Sequence, residues 1–236
     1  MDKLPCLVAI DTASFDHAKL IVNTIANRVA GVKVGLEFFC SYGIPGVIEL
    51  LDHRYNLKLF LDLKLHDIPN TVTNAAKSVF CLNPDFLSIH IVGGAEMINS
   101  VAKSISNSNL KTKLIGISVL TSMNQDDSDF ICASKEPISY KVSRLAKFGV
   151  SNGLNGVVCS AHEVKQLRTE LPITTTLIVP GVRLDFSDLN DQKRVGTPKQ
   201  AIIDGASYVV IGRHVNKNRT EKDINLSLDQ LEEHFA

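Results

Sequence analysis

The chain has 236 residues, 44% of them hydrophobic and 14 of them glycine, which is enough to bury one sizeable core. Lysine plus arginine and aspartate plus glutamate each number 25, so net charge gives no reason to expect nucleic acid or an anionic membrane surface as the main partner. No segment approaches the roughly 18–20 consecutive apolar residues of a bilayer span, and the opening Met1-Asp2-Lys3-Leu4-Pro5 lacks the apolar stretch of an export signal. A cytoplasmic protein without a membrane partner is expected.

In chain order, β-rich runs fall at 7–11, 31–39, 58–66, 86–92, 113–121, 156–160, 175–182 and 207–213, and stretches with helical apolar spacing at 15–29, 43–54, 70–81, 95–107, 137–151, 162–170, 197–204 and 224–235. Eight alternating strand and helix units in a chain of about 250 residues fit an α/β fold, a single (β/α)8 TIM barrel. The expected domain is one catalytic barrel over 1–236. Two connections are longer than a turn: 122–136, rich in Asp and Ser, and 184–196. Loops of this length are often lids or binding loops, and plain surface excursions are the alternative. The second is expected to be a lid.

The first run, Leu7-Val8-Ala9-Ile10, leads into Asp11, and the second places Lys33 after Gly31-Val32. The third is the most informative. From Lys58 to His66 it alternates leucine with ionisable residues except at Phe60, so Leu61, Leu63 and Leu65 share one face of a strand while Asp62, Lys64 and His66 share the other. Asp67 follows directly. Ser88 and His90 in the fourth run and Thr121 at the end of the fifth occupy matching positions. In a parallel barrel the catalytic groups come from strand C-termini, so these charges are expected to meet at one rim.

A structural ion-pair network is the bland reading of this set. Asp67 could simply cap the helix starting near Pro69 and Asn70, and His90 could be a hydrogen-bonded core histidine. Confining two lysines and three aspartates is costly, however, and paired buried charges can often be replaced by apolar residues without loss of stability. Interleaved carboxylates and ammoniums suit a reaction that creates negative charge on carbon and then protonates it, as a decarboxylation does. A divalent-metal site from Asp11, Asp62, His66 and Asp67 is a second possibility. Lys33 and Lys64 oppose it, because an ammonium repels the ion.

The seventh run ends in Val179-Pro180-Gly181-Val182-Arg183 and the eighth in Ile211-Gly212-Arg213-His214. Barrels of this class frequently hold phosphate with the loops after strands 7 and 8. Gly212 permits close backbone approach and Arg213 can grip two phosphate oxygens. Arg183 is equally plausible as a solvated loop residue. The five cysteines, Cys6, Cys40, Cys81, Cys132 and Cys159, are far apart without C-x-x-C spacing. They read as reduced thiols rather than zinc ligands or a dithiol pair.

Together these blocks resemble the orotidine 5′-phosphate decarboxylase family along essentially the whole chain: Ala9-Ile10-Asp11, Val32-Lys33-Val34-Gly35, Asp62-Leu63-Lys64-Leu65-His66-Asp67-Ile68-Pro69-Asn70-Thr71, Leu120-Thr121-Ser122, Pro180-Gly181-Val182-Arg183, Asp191-Gln192-Lys193-Arg194 and Ile211-Gly212-Arg213. The third block is the most specific. The resemblance implies a lyase of pyrimidine biosynthesis that makes uridine 5′-phosphate, with no metal and no other cofactor. Lys33, Asp62, Lys64 and Asp67 would form the catalytic tetrad. Asp11 and Lys33 would hold the ribose hydroxyls, Thr121 the pyrimidine ring, and Gln192, Gly212, Arg213 and Arg183 the phosphate. The resemblance also implies a homodimer in which Asp67 and Thr71 enter the partner's site, and a supporting role for His66. The rival family, 3-keto-gulonate 6-phosphate decarboxylase or a related sugar-phosphate enzyme, resembles the same barrel and Asp-x-Lys-x-x-Asp spacing but uses a metal, and His66-Asp67-Ile68-Pro69-Asn70-Thr71 favours the nucleotide enzyme. A catalytically silent barrel that binds a nucleotide or a protein is the non-enzymatic alternative.

Overall fold

The computed structural model describes residues 3–52, 56–182 and 197–235. The expected lid at 184–196, with Arg183 and Gln192, lies outside the described residues.

Eight parallel strands close on themselves in sequence order: β1 (Leu4–Ile10), β2 (Val29–Val34), β3 (Lys58–Leu65), β4 (Phe86–His90), β5 (Lys113–Ile117), β6 (Gly156–Val158), β7 (Thr176–Val179) and β8 (Tyr208–Ile211). Ten helices accompany them among the described residues: α1 (Phe15–Ile25), α2 (Leu36–Leu50), α3 (Pro69–Ser78), α4 (Gly94–Ser106), α5 (Gln125–Cys132), α6 (Ile138–Ser151), α7 (Ala161–Glu170), α8 (Pro198–Ile203), α9 (Arg213–Asn216) and α10 (Glu221–Glu233). The (β/α)8 barrel expected from the pattern is therefore the observed fold. No described helix is long and apolar enough to cross a membrane.

Strand alternation produces two apolar layers. One face of the barrel packs on the helices through residues such as Val8, Ile10, Leu59, Leu61, Leu87 and Ile89. The opposite face fills the barrel interior with Leu7, Ala9, Phe60, Phe86, Ile115, Ile178 and Val210. Phe60 and Phe86 meet edge to face, with centroids 6.0 Å apart. Truncating a buried Phe of this kind to Ala typically costs about 3–5 kcal/mol, so this inner plug is a rigid floor for whatever lies above it.

Several boundaries differ from the sequence expectation for local reasons. The apolar residues Leu36, Phe38 and Phe39 extend the second β-like run, yet they form the first turn of α2, which Gly35 caps. That helix bends at Gly43, whose φ of 60° precedes Pro45. Residues 122–136 hold α5, begun by the Asn124 side chain accepting the Asp127 N–H at 2.8 Å. Strands β5 and β7 stop at Ile117 and Val179, short of the apolar residues that follow them.

Candidate active site

A cavity of about 380 Å3 opens at the C-terminal mouth of the barrel. Asp11, Lys33, Asp62, Lys64, Thr121, Gly212 and Arg213 line it, over walls that include Ala9, Phe60, Ile117, Val119, Ile178 and Val210. Seven of the expected site residues, drawn from strands or loops at five positions around the barrel, thus converge. Asp67 and Thr71 are exposed and do not line this cavity, and neither does His66. The metal set imagined from Asp11, Asp62, His66 and Asp67 is therefore not assembled within the chain.

The reason for the split lies in β3. Leu61 pairs with Leu87 and Leu65 with Ile89, so four residues of β3 span two of β4. Lys64 sits inside this bulge at φ 51°, a left-handed backbone that only a well-determined surrounding maintains in a non-glycine residue. Regular alternation ends there. Asp62 and Lys64 enter the cavity, while His66 turns away and packs 5.3 Å from the His90 ring. The Lys64 N–H, lost from the strand ladder, donates to Ser88 Oγ at 2.9 Å. Ser88, fully buried, in turn donates to Asp62 Oδ1 at 2.9 Å. Ser88 was visible in the sequence as a candidate position, but its role as the tie between the two central charges was not.

The charged groups form an unbranched series of alternating sign. Asp11 lies 3.4 Å from the Lys33 ammonium, Lys33 lies 3.6 Å from Asp62 Oδ2, and the same oxygen lies 2.6 Å from Lys64 Nζ. Asp62 is buried. Burial by itself pushes its carboxyl up, but the adjacent Lys33 and Lys64 ammoniums, with hydrogen bonds from Lys64 and Ser88, hold it below the ordinary carboxylate value. Asp62 is consequently an anion with one oxygen hydrogen-bonded to Ser88 and the other to Lys64. His90 is held below its ordinary value by burial first, then by His66 and Lys64, against the opposing pull of Asp62.

Gly35 also shapes this series. A Cβ at Gly35 would stand 2.9 Å from Lys33 Nζ and 3.5 Å from Asp11 Oδ1, so the bare backbone leaves the space in which the Lys33 and Asp11 groups meet. At the opposite rim Gly181 lines the cavity with φ 77°, a conformation that disfavours any side chain. Gly212 lies close to the same carboxylate, since a Cβ placed there would be 3.5 Å from Asp11 Oδ2. The cavity thus has an ionic wall from β1 to β3, an apolar floor, and an arginine at the edge after β8.

Comparison with known proteins agrees with the barrel fold. Residues 5–223 match the model of the Orotidine 5′-phosphate decarboxylase / HUMPS family. The orotidine 5′-phosphate decarboxylase of Ehrlichia chaffeensis is 45% identical over 233 residues, covering 96% of this chain and 97% of the relative. That of the Wolbachia of Brugia malayi is 40% identical over 216 residues, covering 92% and 93%. The crystal structure of orotidine 5′-phosphate decarboxylase from Lactobacillus acidophilus superposes with a TM-score of 0.82 at 30% identity, covering 99% of both chains. On fold and sequence alike, the chain belongs to the orotidine 5′-phosphate decarboxylase family.

Proposed function

We propose that the protein decarboxylates orotidine 5′-phosphate to uridine 5′-phosphate and CO2 without a metal or other cofactor, as a cytoplasmic homodimer whose protomers are each one catalytic domain over 1–236. The observation that carries this reading is the Asp11, Lys33, Asp62, Lys64 series, with a buried carboxylate 2.6 Å from an ammonium at the mouth of the barrel.

Asp62 faces the carboxylate that leaves, so the bound substrate sets two anions against each other and departure of CO2 relieves that repulsion. The C6–carboxylate bond breaks with its electron pair left on C6. Lys64, beside C6, stabilises this pair as it develops and then transfers a proton from Nζ to it. Solvent reprotonates the amine. The preformed charges need no reorganisation during the step, and that is where such a site gains most. Lys33 and Asp11 hold the ribose hydroxyls, and Thr121 contacts the ring. Gly212, Arg213, Gln192 and Arg183 hold the phosphate, whose binding energy, remote from C6, favours closure and lowers the barrier. Asp67 and Thr71 complete the partner's site. Their exposure outside the chain's own cavity supports that assignment.

Orotidine 5′-phosphate and 3-keto-gulonate 6-phosphate, offered separately to the purified protein, test the reading. The expected result is uridine 5′-phosphate and CO2 from the first and no turnover of the second; the reverse would overturn it. For the shared site, inactive Lys64→Ala and Asp67→Ala subunits are mixed. Hybrid dimers should regain activity from one site free of both changes. No regain after proven subunit exchange would remove the dimer claim.

A further inference from the structure

The β1 and β8 strands pair only as far as Val8 with Ile211. Beyond that register the chain still has to hold Asp11 and Gly212 side by side, and a side chain from α9 bridges the two ends. Asn216 Nδ2 donates to the Ala9 carbonyl at 2.6 Å and to the Gly212 carbonyl at 2.9 Å. Its Oδ1 accepts the Asp11 N–H at 3.3 Å. Both amide donors and the amide acceptor are therefore engaged, and their pattern fixes which way the amide points. The backbone adds to the tie, since the Asn216 N–H also reaches the Gly212 carbonyl at 3.1 Å.

We propose that Asn216 is a positioning residue for substrate binding: its amide staples the end of β1 to the end of β8 and so fixes the ribose-holding Asp11 against the phosphate-holding Gly212 and Arg213. The proposal rests on the function given above. Asn216 is not among the residues lining the cavity, so it acts through the backbone of residues that do. The staple sets one spacing, between the sugar hydroxyl end and the phosphate end of a nucleotide. That spacing is worth fixing in advance because a substrate that must order its own site loses affinity in doing so.

Asn218 provides an internal control two residues away. Its Nδ2 donates to the His214 carbonyl at 3.0 Å and to Ser227 Oγ at 2.7 Å, which pins α9 to α10 without touching β1. Both substitutions should lower thermal stability, but only one should alter binding. Asn216→Ala is expected to raise KM for orotidine 5′-phosphate about tenfold with kcat within about threefold of wild type. Competitive inhibition by uridine 5′-phosphate should weaken in parallel, whereas Asn218→Ala should leave both constants unchanged. If Asn216→Ala does not fold, the neutral Asn216→Ser serves instead, because its short hydroxyl has a single donor for the two carbonyls, and it should raise KM at least about fivefold. A KM within twofold of wild type in the folded Asn216 variant, or an equal rise in Asn218→Ala, overturns the proposal while leaving the proposed function standing. A wild-type protein that does not turn over orotidine 5′-phosphate overturns both.

Discussion

At the scale of single residues, the site depends on a serine that carries no charge. Ser88→Ala removes the acceptor of the Lys64 N–H and the donor to Asp62 Oδ1 together. Leaving such buried groups unsatisfied typically costs about 1–3 kcal/mol, and the bulge loses what holds Lys64 at φ 51°. The expected outcome is a lower unfolding midpoint together with a kcat reduced at least about tenfold, since 1.4 kcal/mol at the transition state suffices for that. Denaturant unfolding and steady-state kinetics read the two effects separately. Gly35→Ala should separate them the other way. The new methyl group would stand 2.9 Å from the flexible end of Lys33 and 3.5 Å from Asp11 Oδ1, and Ala caps a helix less well than Gly, so stability should fall modestly while kcat/KM falls more, and unchanged kinetics would show that the Lys33 and Asp11 contact is dispensable. The charged residues were legible in the sequence because ionisable side chains interrupt apolar strands. Ser88 was legible only as a position in the fourth run, Gly35 only as part of a motif and Asn216 not at all, because a small residue that leaves space or bonds a neighbour, or an amide that bonds backbone, leaves no mark in a hydropathy pattern.

At the scale of elements, the segment after β5 shows where pattern reading falls short. Residues 125–132 are too polar to present an apolar stripe, and a loop was the natural expectation. The helix α5 is instead held by an ion pair between Asp129 and Lys141 of α6, with Ser128 Oγ 3.2 Å from the same ammonium. Lys141 is fully buried, so removing its partner strands a charge, whereas Lys141→Met removes the charge itself. Asp129→Ala should therefore lower the thermal midpoint more than Lys141→Met does. The α6 and α7 pair is fastened by a second carboxylate. Hydrogen bonds from Ser143, then Lys147 and Gln166, hold Glu170 at about 2, against an ordinary value of 4.5. Because its folded value is the lower one, the unfolded chain takes up a proton first as pH falls, so the contribution is complete above about 4.5 and is lost towards about 2. Glu170→Gln should flatten that acid limb of the stability curve and leave the neutral region merely lower. An acid limb as steep as wild type would contradict the assignment.

At the scale of the whole molecule, eight short strands separated by helical spacing were enough to specify a closed parallel barrel, and barrel geometry then placed the ends of the strands together. That is why the meeting of Asp11, Lys33, Asp62 and Lys64 could be inferred before any distance was known. The exposure of Asp67 and Thr71 could not be inferred from periodicity, because it depends on the left-handed turn at Lys64 that ends alternation. The shared site proposed for Asp67 and Thr71 rests on family resemblance and on that exposure, not on periodicity. Closure also fits the proposed charge-based mechanism: the inner face supplies an apolar floor, and charges held above such a floor act more strongly than they do in water. The most direct measurement is decarboxylation of orotidine 5′-phosphate by chelator-stripped protein, followed by loss of the substrate's ultraviolet absorbance, with Lys64→Ala run alongside. Turnover unchanged by metal removal and reduced at least about a thousandfold in Lys64→Ala, a loss of about 4 kcal/mol of transition-state stabilisation, is the expected result. Turnover that requires added metal or flavin, or a Lys64→Ala protein within tenfold of wild type, would contradict the account.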